Sequence, residues 1–225
     1  MGEESIQARV IDVKKYGIYR IVRLQPLNSF EFKPGQNAEF EIGKEICGDC
    51  GSRTFSIASS PTEDYIMFAT IARDSPYKKA LDKLAPGDEI RIWGPYGHFT
   101  LDEGLGKAVL IFDTIGVTPV RSMIMYSFHK KFEIEITAIH IDKQGDFLFR
   151  EDLETVSRGS DNIDIMWKRE IPGEEELKDI IGDPRKTSIY ISGPPHSVRE
   201  IVSMLRRLRI EISRERIKIE SFSGY

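Results

Sequence analysis

The sequence predicts an all-β antiparallel barrel followed by an α/β domain built on a Rossmann-like parallel sheet. Three observations carry this expectation. Up to Leu101, short apolar or alternating segments are interrupted by Gly and Pro about every ten residues, a spacing that suits an antiparallel barrel. Beyond Leu101, apolar runs alternate with stretches of helical periodicity, which implies parallel strands covered by helices on both faces. Finally, loops rich in Gly, Thr and Pro sit where predicted strands hand over to predicted helices.

In the first part the strands are expected at Ile6 to Val13, Ile18 to Leu24, Asn37 to Ile42, Arg53 to Ile57, Tyr65 to Ile71 and Glu89 to Trp93. Lys33-Pro34-Gly35-Gln36 and Ala85-Pro86-Gly87-Asp88 read as turns between them. A helix should open at Ser75-Pro76, because serine is a good N-cap and proline a good first helical residue. In the second part strands are expected at Ala108 to Phe112, Ile134 to Ile141, Ile163 to Trp167, Ser188 to Ile191 and Ile217 to Glu220. The intervening helices fall at Val120 to His129, Leu148 to Ser157, Glu174 to Ile181 and Ser197 to Leu208. The stretch Asp102-Glu103-Gly104-Leu105-Gly106 reads as the boundary, which divides the chain into residues 1–101 and 102–225.

Composition narrows the function classes. The 225 residues are 40% hydrophobic and 30% charged, with a formal net charge of −4, so nothing forms a basic footprint for nucleic acid. No apolar run approaches the roughly 20 residues that span a bilayer. Met1-Gly2-Glu3-Glu4-Ser5 is acidic and lacks the apolar core of a signal peptide, so a cytoplasmic protein is expected. The two cysteines lie together as Cys47-Gly48-Asp49-Cys50, a pattern open to incidental thiols, a redox pair, or half of a zinc site completed across a dimer. An iron–sulfur cluster normally takes four ligands, so none is expected within one chain, and no metal site is assigned.

Several segments carry chemistry. Arg53 opens a strand, Arg53-Thr54-Phe55-Ser56-Ile57-Ala58-Ser59, where a guanidinium can grip phosphate oxygens. The helix start after Ser75 offers unpaired amides and a positive dipole end to an anion. Gly94-Pro95-Tyr96-Gly97-His98-Phe99 is a tight turn in which His98 reads as a solvated histidine. The strand Ala108 to Phe112 runs into Asp113-Thr114-Ile115-Gly116-Val117-Thr118-Pro119, and Ile191-Ser192-Gly193-Pro194-Pro195 repeats the strand–loop–helix arrangement. The chain closes on Glu220-Ser221-Phe222-Ser223-Gly224-Tyr225.

Together, in this order and from about Gln36 onward, these segments resemble the ferredoxin–NADP reductase-like family of flavoproteins. The resemblance implies a flavin-dependent NAD(P)H oxidoreductase, in which a hydride passes from nicotinamide to flavin N5 and electrons go on to a separate acceptor such as ferredoxin. It assigns to the flavin Arg53, Thr54, Phe55, Ser56, Ile57, Thr70, Ile71, Ala72, Tyr77, Lys78, Lys79, Gly97, Phe222 and Tyr225. To the nucleotide it assigns Thr114, Gly116, Thr118, Pro119, Asp142, Ser192, Gly193 and Pro194, and it places Ser56, Ser192 and Glu220 at the reaction centre. The implied flavin is FAD, with FMN the alternative, and the donor is NADH or NADPH. Asp142 favours NADH through the ribose diol, whereas Arg150 would favour NADPH.

The chain departs from the family pattern in four places. Phe55 stands for a tyrosine, Lys78 for a serine, and Asp113 and Thr114 replace two glycines of the nucleotide loop. A carboxylate at Asp113 would repel a diphosphate, so the alternative is a flavin-binding electron-transfer subunit or interaction module that has lost nicotinamide nucleotide binding. Complex-forming relatives, such as the electron-transfer subunit of dihydroorotate dehydrogenase and the gamma subunit of some hydrogenases, carry a C-terminal cysteine cluster that is missing from this sequence.

Overall fold

Alternation fixes which face each of the first six strands turns inward. In β3 (Asn37–Ile42), Ala38, Phe40 and Ile42 are buried while Glu39 and Glu41 point out, as period-2 patterning requires. A computed structural model describes residues 5–102, 104, 106–210 and 215–222. With β1 (Ser5–Tyr16), β2 (Tyr19–Pro26), β4 (Ser52–Ser56), β5 (Ile66–Ile71) and β6 (Glu89–Tyr96), β3 forms an antiparallel sheet in the order β4-β3-β6-β1-β2-β5. The sheet curls until its edge strands β4 and β5 touch, closing a core that includes Val22, Leu24, Phe40, Phe68 and Ile92. A bulge between Val10 and Asp12 leaves Ile11 unpaired and sets Asp12 opposite Arg23, with which it forms an ion pair.

Two helices belong to this half. The α1 helix (Lys44–Cys47) is a single turn without a side-chain cap, too short to leave a periodic signal in the sequence. In α2 (Pro76–Leu81) the Ser75 hydroxyl accepts a hydrogen bond from the Lys78 amide at 3.3 Å, the expected cap. This helix seals the barrel with Tyr77 and Leu81, and the Tyr77 hydroxyl donates to the Phe40 carbonyl at 2.9 Å.

The second half is a parallel sheet of β7 (Lys107–Asp113), β8 (Glu135–Ile141), β9 (Ile163–Lys168), β10 (Thr187–Gly193) and β11 (Ile217–Ser221), ordered β11-β10-β7-β8-β9. Its central strand β7 is buried on both faces and therefore reads as an unbroken apolar run. Ala108, Leu110 and Phe112 enter one core with α3 (Val117–Lys130) and α4 (Arg150–Arg158), while Val109 and Ile111 enter the other with α5 (Glu174–Ile181) and α6 (Pro195–Arg207). The chain moves outward from β7 to β9 and then returns to place β10 on the opposite side of β7. The loops after β7 and β10 therefore diverge and leave a crevice at the carboxyl edge of the sheet.

The helix starts differ modestly from expectation. The α3 helix begins three residues before Val120, because Thr118 and Pro119 fit its first turn and the Thr118 hydroxyl donates to Ile115 O at 2.9 Å. The α4 helix begins after Phe149, whose φ of 63° is left-handed and cannot continue a helix backwards to Leu148.

The two halves share one core, in which Tyr19, Ala69, Phe99 and Leu101 pack with the α3 side of the parallel sheet. Buried Arg121 of α3 pins them polarly. Its guanidinium donates to both oxygens of Glu63 at 2.9 Å, to the Ala58 carbonyl at 2.8 Å and to Asp152 at 2.7 Å. Beside it, the Ser122 hydroxyl donates to Ser59 O at 2.6 Å. Burial alone would raise the Glu63 carboxyl, but the Arg121 hydrogen bonds and charge outweigh it and hold Glu63 below the ordinary carboxylate range. Arg121→Met should destabilise the fold by about 3–5 kcal/mol, since it strands a buried carboxylate, and the additional change Glu63→Leu should recover much of the loss. Urea unfolding of the single and double variants measures both outcomes.

Candidate active site

A cavity of about 350 Å³ lies where β4, β5 and α2 of the barrel face the loop after β7 and the end of β11. It has two chemically distinct sets of walls. Arg53 and Lys78 bring the cationic groups, with the Thr70 hydroxyl beside Lys78, while Ser56, Asn37 and Glu220 bring the other neutral groups and the acid. Phe55 and Phe222 add aromatic surface. The volume lies at the low end of small-molecule pockets, roughly 300–1,000 Å³.

At the cationic walls, Lys78 is buried with its ammonium donating to the Thr70 hydroxyl and lying 4.6 Å from the Phe55 ring centroid. Burial, with the nearby charges of Arg53 and Arg73, lowers its pKa to about 8. An anion in the cavity would reverse that shift. Arg53 is exposed, and its Nη1 donates to Ser52 O at 2.6 Å and Cys50 O at 3.2 Å while the guanidinium rests over Tyr77 at 5.4 Å. Phe55 stacks almost parallel on Phe68 with centroids 4.8 Å apart, so its place in the wall is held by ring packing and needs no hydroxyl.

At the acidic walls, antiparallel pairing puts Asn37 opposite Ser56, and parallel pairing puts Ser192 beside Glu220. Burial raises the Glu220 carboxyl to about 7, a shift only partly countered by the Asn37 amide at 3.5 Å. Glu220 Oε2 and Ser56 Oγ are both buried without a hydrogen-bond partner. Each such atom costs about 1–3 kcal/mol when left unsatisfied. Two in the walls of one cavity, next to a buried lysine, suit a polar-edged, anion-bearing aromatic ligand, and a flavin nucleotide meets that description.

The loop after β7, which the sequence assigns to the nucleotide, sits at the sheet crevice. Thr114 adopts φ 53°, the left-handed conformation for which glycine is the easier residue, and opens a 3-10 turn (Thr114–Gly116). A Cβ on Gly116 would lie 2.3 Å from the Ser192 carbonyl oxygen, so the two loops pass too closely for any side chain there. The Asp113 carboxylate is buried and accepts hydrogen bonds from the hydroxyls of Thr114, at 2.6 Å, and of Ser197 in the first turn of α6. Its charge is thus met by two hydroxyl donors and a helix N-terminus.

Of the residues assigned from sequence, Arg53, Thr54, Phe55, Ser56, Thr70, Lys78, Thr118, Glu220 and Phe222 come together around the cavity. Others sit elsewhere. Tyr77 is in the barrel core with its hydroxyl spent on Phe40, Ile57 is buried in the same core, and exposed Lys79 pairs with Asp74. Ile71 is the end of β5, and the Ala72 amide is taken by Ile18 O at 2.7 Å. Gly97, at φ 90°, contributes space, since a Cβ there would meet the Asn37 amide nitrogen at 2.7 Å. The Ser192 hydroxyl turns to Gly116 O at 2.8 Å, Pro119 is buried in α3, Gly193 O accepts from the Phe222 amide at 3.0 Å, and Pro194 caps α6. Tyr225 lies outside the described residues.

Asp142, expected at a ribose diol, is instead buried. Its oxygens accept from the Tyr19 hydroxyl at 3.0 Å and from the amides of Gln144 and Gly145 at 2.9 and 3.1 Å, bonds that tie the barrel to a turn. Arg150 lies over Trp167 at 5.1 Å and pairs with Glu154. Cys47 and Cys50 form a disulfide. Sequence reasoning passed over Asn37, because an asparagine inside a strand carries no motif; only its pairing with Ser56 reveals it.

No family model matches the chain. Sequence and fold nevertheless point the same way: homologues of this chain include proteins named ferredoxin–NADP reductase, and its fold matches the architecture of ferredoxin–NADP+ reductases. Among curated proteins it is 28% identical to ferredoxin–NADP reductase B of Sorangium cellulosum, over 90% of this chain and 96% of that one. It is 25% identical to sulfhydrogenase 1 subunit gamma of Pyrococcus furiosus, over 86% of this chain and 70% of that subunit. A ferredoxin NADP+ reductase from Neisseria gonorrhoeae, solved with FAD and NADP, shares the fold at a TM-score of 0.79 and 18% identity, covering 96% of this chain and 98% of that one. Among the described residues no helix is long and apolar enough to cross a membrane.

The raised carboxyl gives a pH signature. Glu220 binds its proton more tightly folded than unfolded, so its contribution to stability is full below about pH 4.5 and is lost as pH rises through about 7. Relative to Glu220→Gln, the wild-type protein should therefore lose stability between pH 5 and pH 8. Parallel thermal melts of the two proteins across that range check the slope, and parallel curves would sink the assignment.

Proposed function

We propose that this chain is a flavin-dependent NAD(P)H oxidoreductase that passes electrons to a separate acceptor protein. The observation that carries the reading is the cavity between the two halves, where buried Lys78, orphaned Ser56 Oγ and orphaned Glu220 Oε2 meet beside Phe55 and Phe222. A bound flavin would supply the two-electron centre whose N5 takes a hydride from reduced nicotinamide. Arg53 and Lys78 would hold its phosphates, the latter gaining charge as an anion arrives. With a flavin bound, Ser56 would offer a hydrogen bond to its polar edge, and Glu220, whose carboxyl burial raises to about 7, could hold or release a proton there. The loops after β7 and β10 orient the donor at the sheet crevice, which favours reaction by fixing near-contact geometry.

The alternative, loss of nucleotide binding, rests on Asp113 and Thr114. Thr114 takes the backbone conformation a glycine would take, and the Asp113 charge is already met by Thr114 and Ser197. Both departures are accommodated, which favours a working nucleotide loop. The acceptor is ferredoxin or another redox protein, or a larger complex in which this chain is one subunit. A cytoplasmic location suits such a donor and acceptor.

Three measurements test the proposal. Anaerobic addition of NADH or NADPH to the FAD-loaded protein should bleach the flavin band with one nucleotide in preference to the other; a flavin that bleaches only with dithionite would refute the reductase. Lys78→Met should weaken FAD binding about ten-fold, and wild-type affinity should fall as pH rises through about 8 while the variant's does not. Replacing Asp113 and Thr114 with glycine should leave nucleotide affinity within about two-fold, read by equilibrium titration, because neither side chain obstructs the loop.

A further inference from the structure

Outside the cavity, the feature that the proposed reaction leaves unused is the disulfide of Cys47 and Cys50. Cys47 ends α1 and Cys50 lies just before β4, with Cα atoms 5.7 Å apart. The bridge closes a very short ring, which constrains the unfolded chain little, so global stability gives a weak reason for it. What it does constrain is local. The Cys50 carbonyl is one of the two acceptors that hold the Arg53 guanidinium, at 3.2 Å, and the Ser52 carbonyl is the other. Gly48 and Gly51 both take positive φ, 64° and 67°, so without the bridge this loop is hinged at two glycines. The α1 helix also packs on α2, which carries Lys78. The half-buried disulfide thus lies beside Arg53, on a loop whose helix packs against α2.

We propose that Cys47 and Cys50 are a reversible disulfide whose redox state sets how firmly Arg53 is presented to the cavity, and so how tightly a diphosphate-bearing flavin is held. The inference rests on the flavin reading above. Reduction by an external dithiol proceeds by thiol–disulfide exchange: two electrons enter the S–S bond, two protons end on the cysteine sulfurs, and the dithiol leaves as its own disulfide. The oxidised loop presents Arg53 already ordered, whereas the reduced loop must order its glycine hinges on binding. Pre-organisation therefore makes the oxidised form the tighter binder.

The test is FAD titration of the apo-protein by fluorescence quenching in three preparations: oxidised, dithiothreitol-reduced, and Cys47→Ser/Cys50→Ser. Thiol alkylation and intact mass fix the redox state of each, and circular dichroism checks the fold. The reduced and double-serine proteins should bind FAD roughly five-fold more weakly than the oxidised one. In Arg53→Ala the two redox states should bind equally. Equal affinities for oxidised and reduced wild type would overturn the proposal, as would a difference that persists in Arg53→Ala, or a bridge that dithiothreitol opens only by unfolding the protein. Failure of FAD to bind in either state would instead bring down the flavin reading, and the switch with it.

Discussion

The buried guanidinium of Arg121 is the constraint on which the arrangement of this molecule depends. It reaches from the second turn of α3 into the barrel and satisfies Glu63, the Ala58 carbonyl and Asp152 at once. Its environment raises the pKa despite the cost of burial, because the carboxylates and their hydrogen bonds outweigh desolvation. A buried charge of this kind tolerates little displacement, since any loosening exposes an unpaired carboxylate to the interior. The shared apolar core supplies the attraction between the halves, and Arg121 with Ser122 supplies the register.

Register matters because the cavity belongs to neither half alone. Its cationic walls come from β4, β5 and α2, and its acid from β11, the last described strand. Asn37 and Glu220 approach to 3.5 Å although 183 residues separate them in sequence. The Tyr19–Asp142 hydrogen bond and the Tyr16 hydroxyl on Asp146 O, at 2.8 Å, brace the same interface at the end of β8. A slide of even one ångström would separate the groups that give the site its chemistry, whichever ligand it holds.

Within that frame the perturbed groups are arranged with opposite tendencies. Burial pushes Lys78 towards its neutral form and Glu220 towards its protonated form, so both bring the cavity closer to neutrality than their formal charges suggest. Such a site is prepared to change protonation when a charged partner arrives. Perturbed titration of two groups in one cleft is what functional sites commonly display.

Much of this was legible in the sequence. Period-2 alternation, turn residues and unbroken apolar runs mark the eleven strands of the described residues in their order and four of the helices close to their limits, because these signals are local. The Arg53–Ser56 segment, the Ser75–Pro76 cap and the closing Glu220–Phe222 segment marked most of the cavity wall for the same reason. What sequence left undecided was direction. It could not tell that Asp142 turns inward to Tyr19, that Asp113 meets two hydroxyls, that Tyr77 spends its hydroxyl on Phe40, or that Cys47 and Cys50 close on each other beside Arg53. Each of those outcomes depends on a partner distant in the chain or on a turn's φ, and side-chain orientation at such places is fixed only when the two sheets pack.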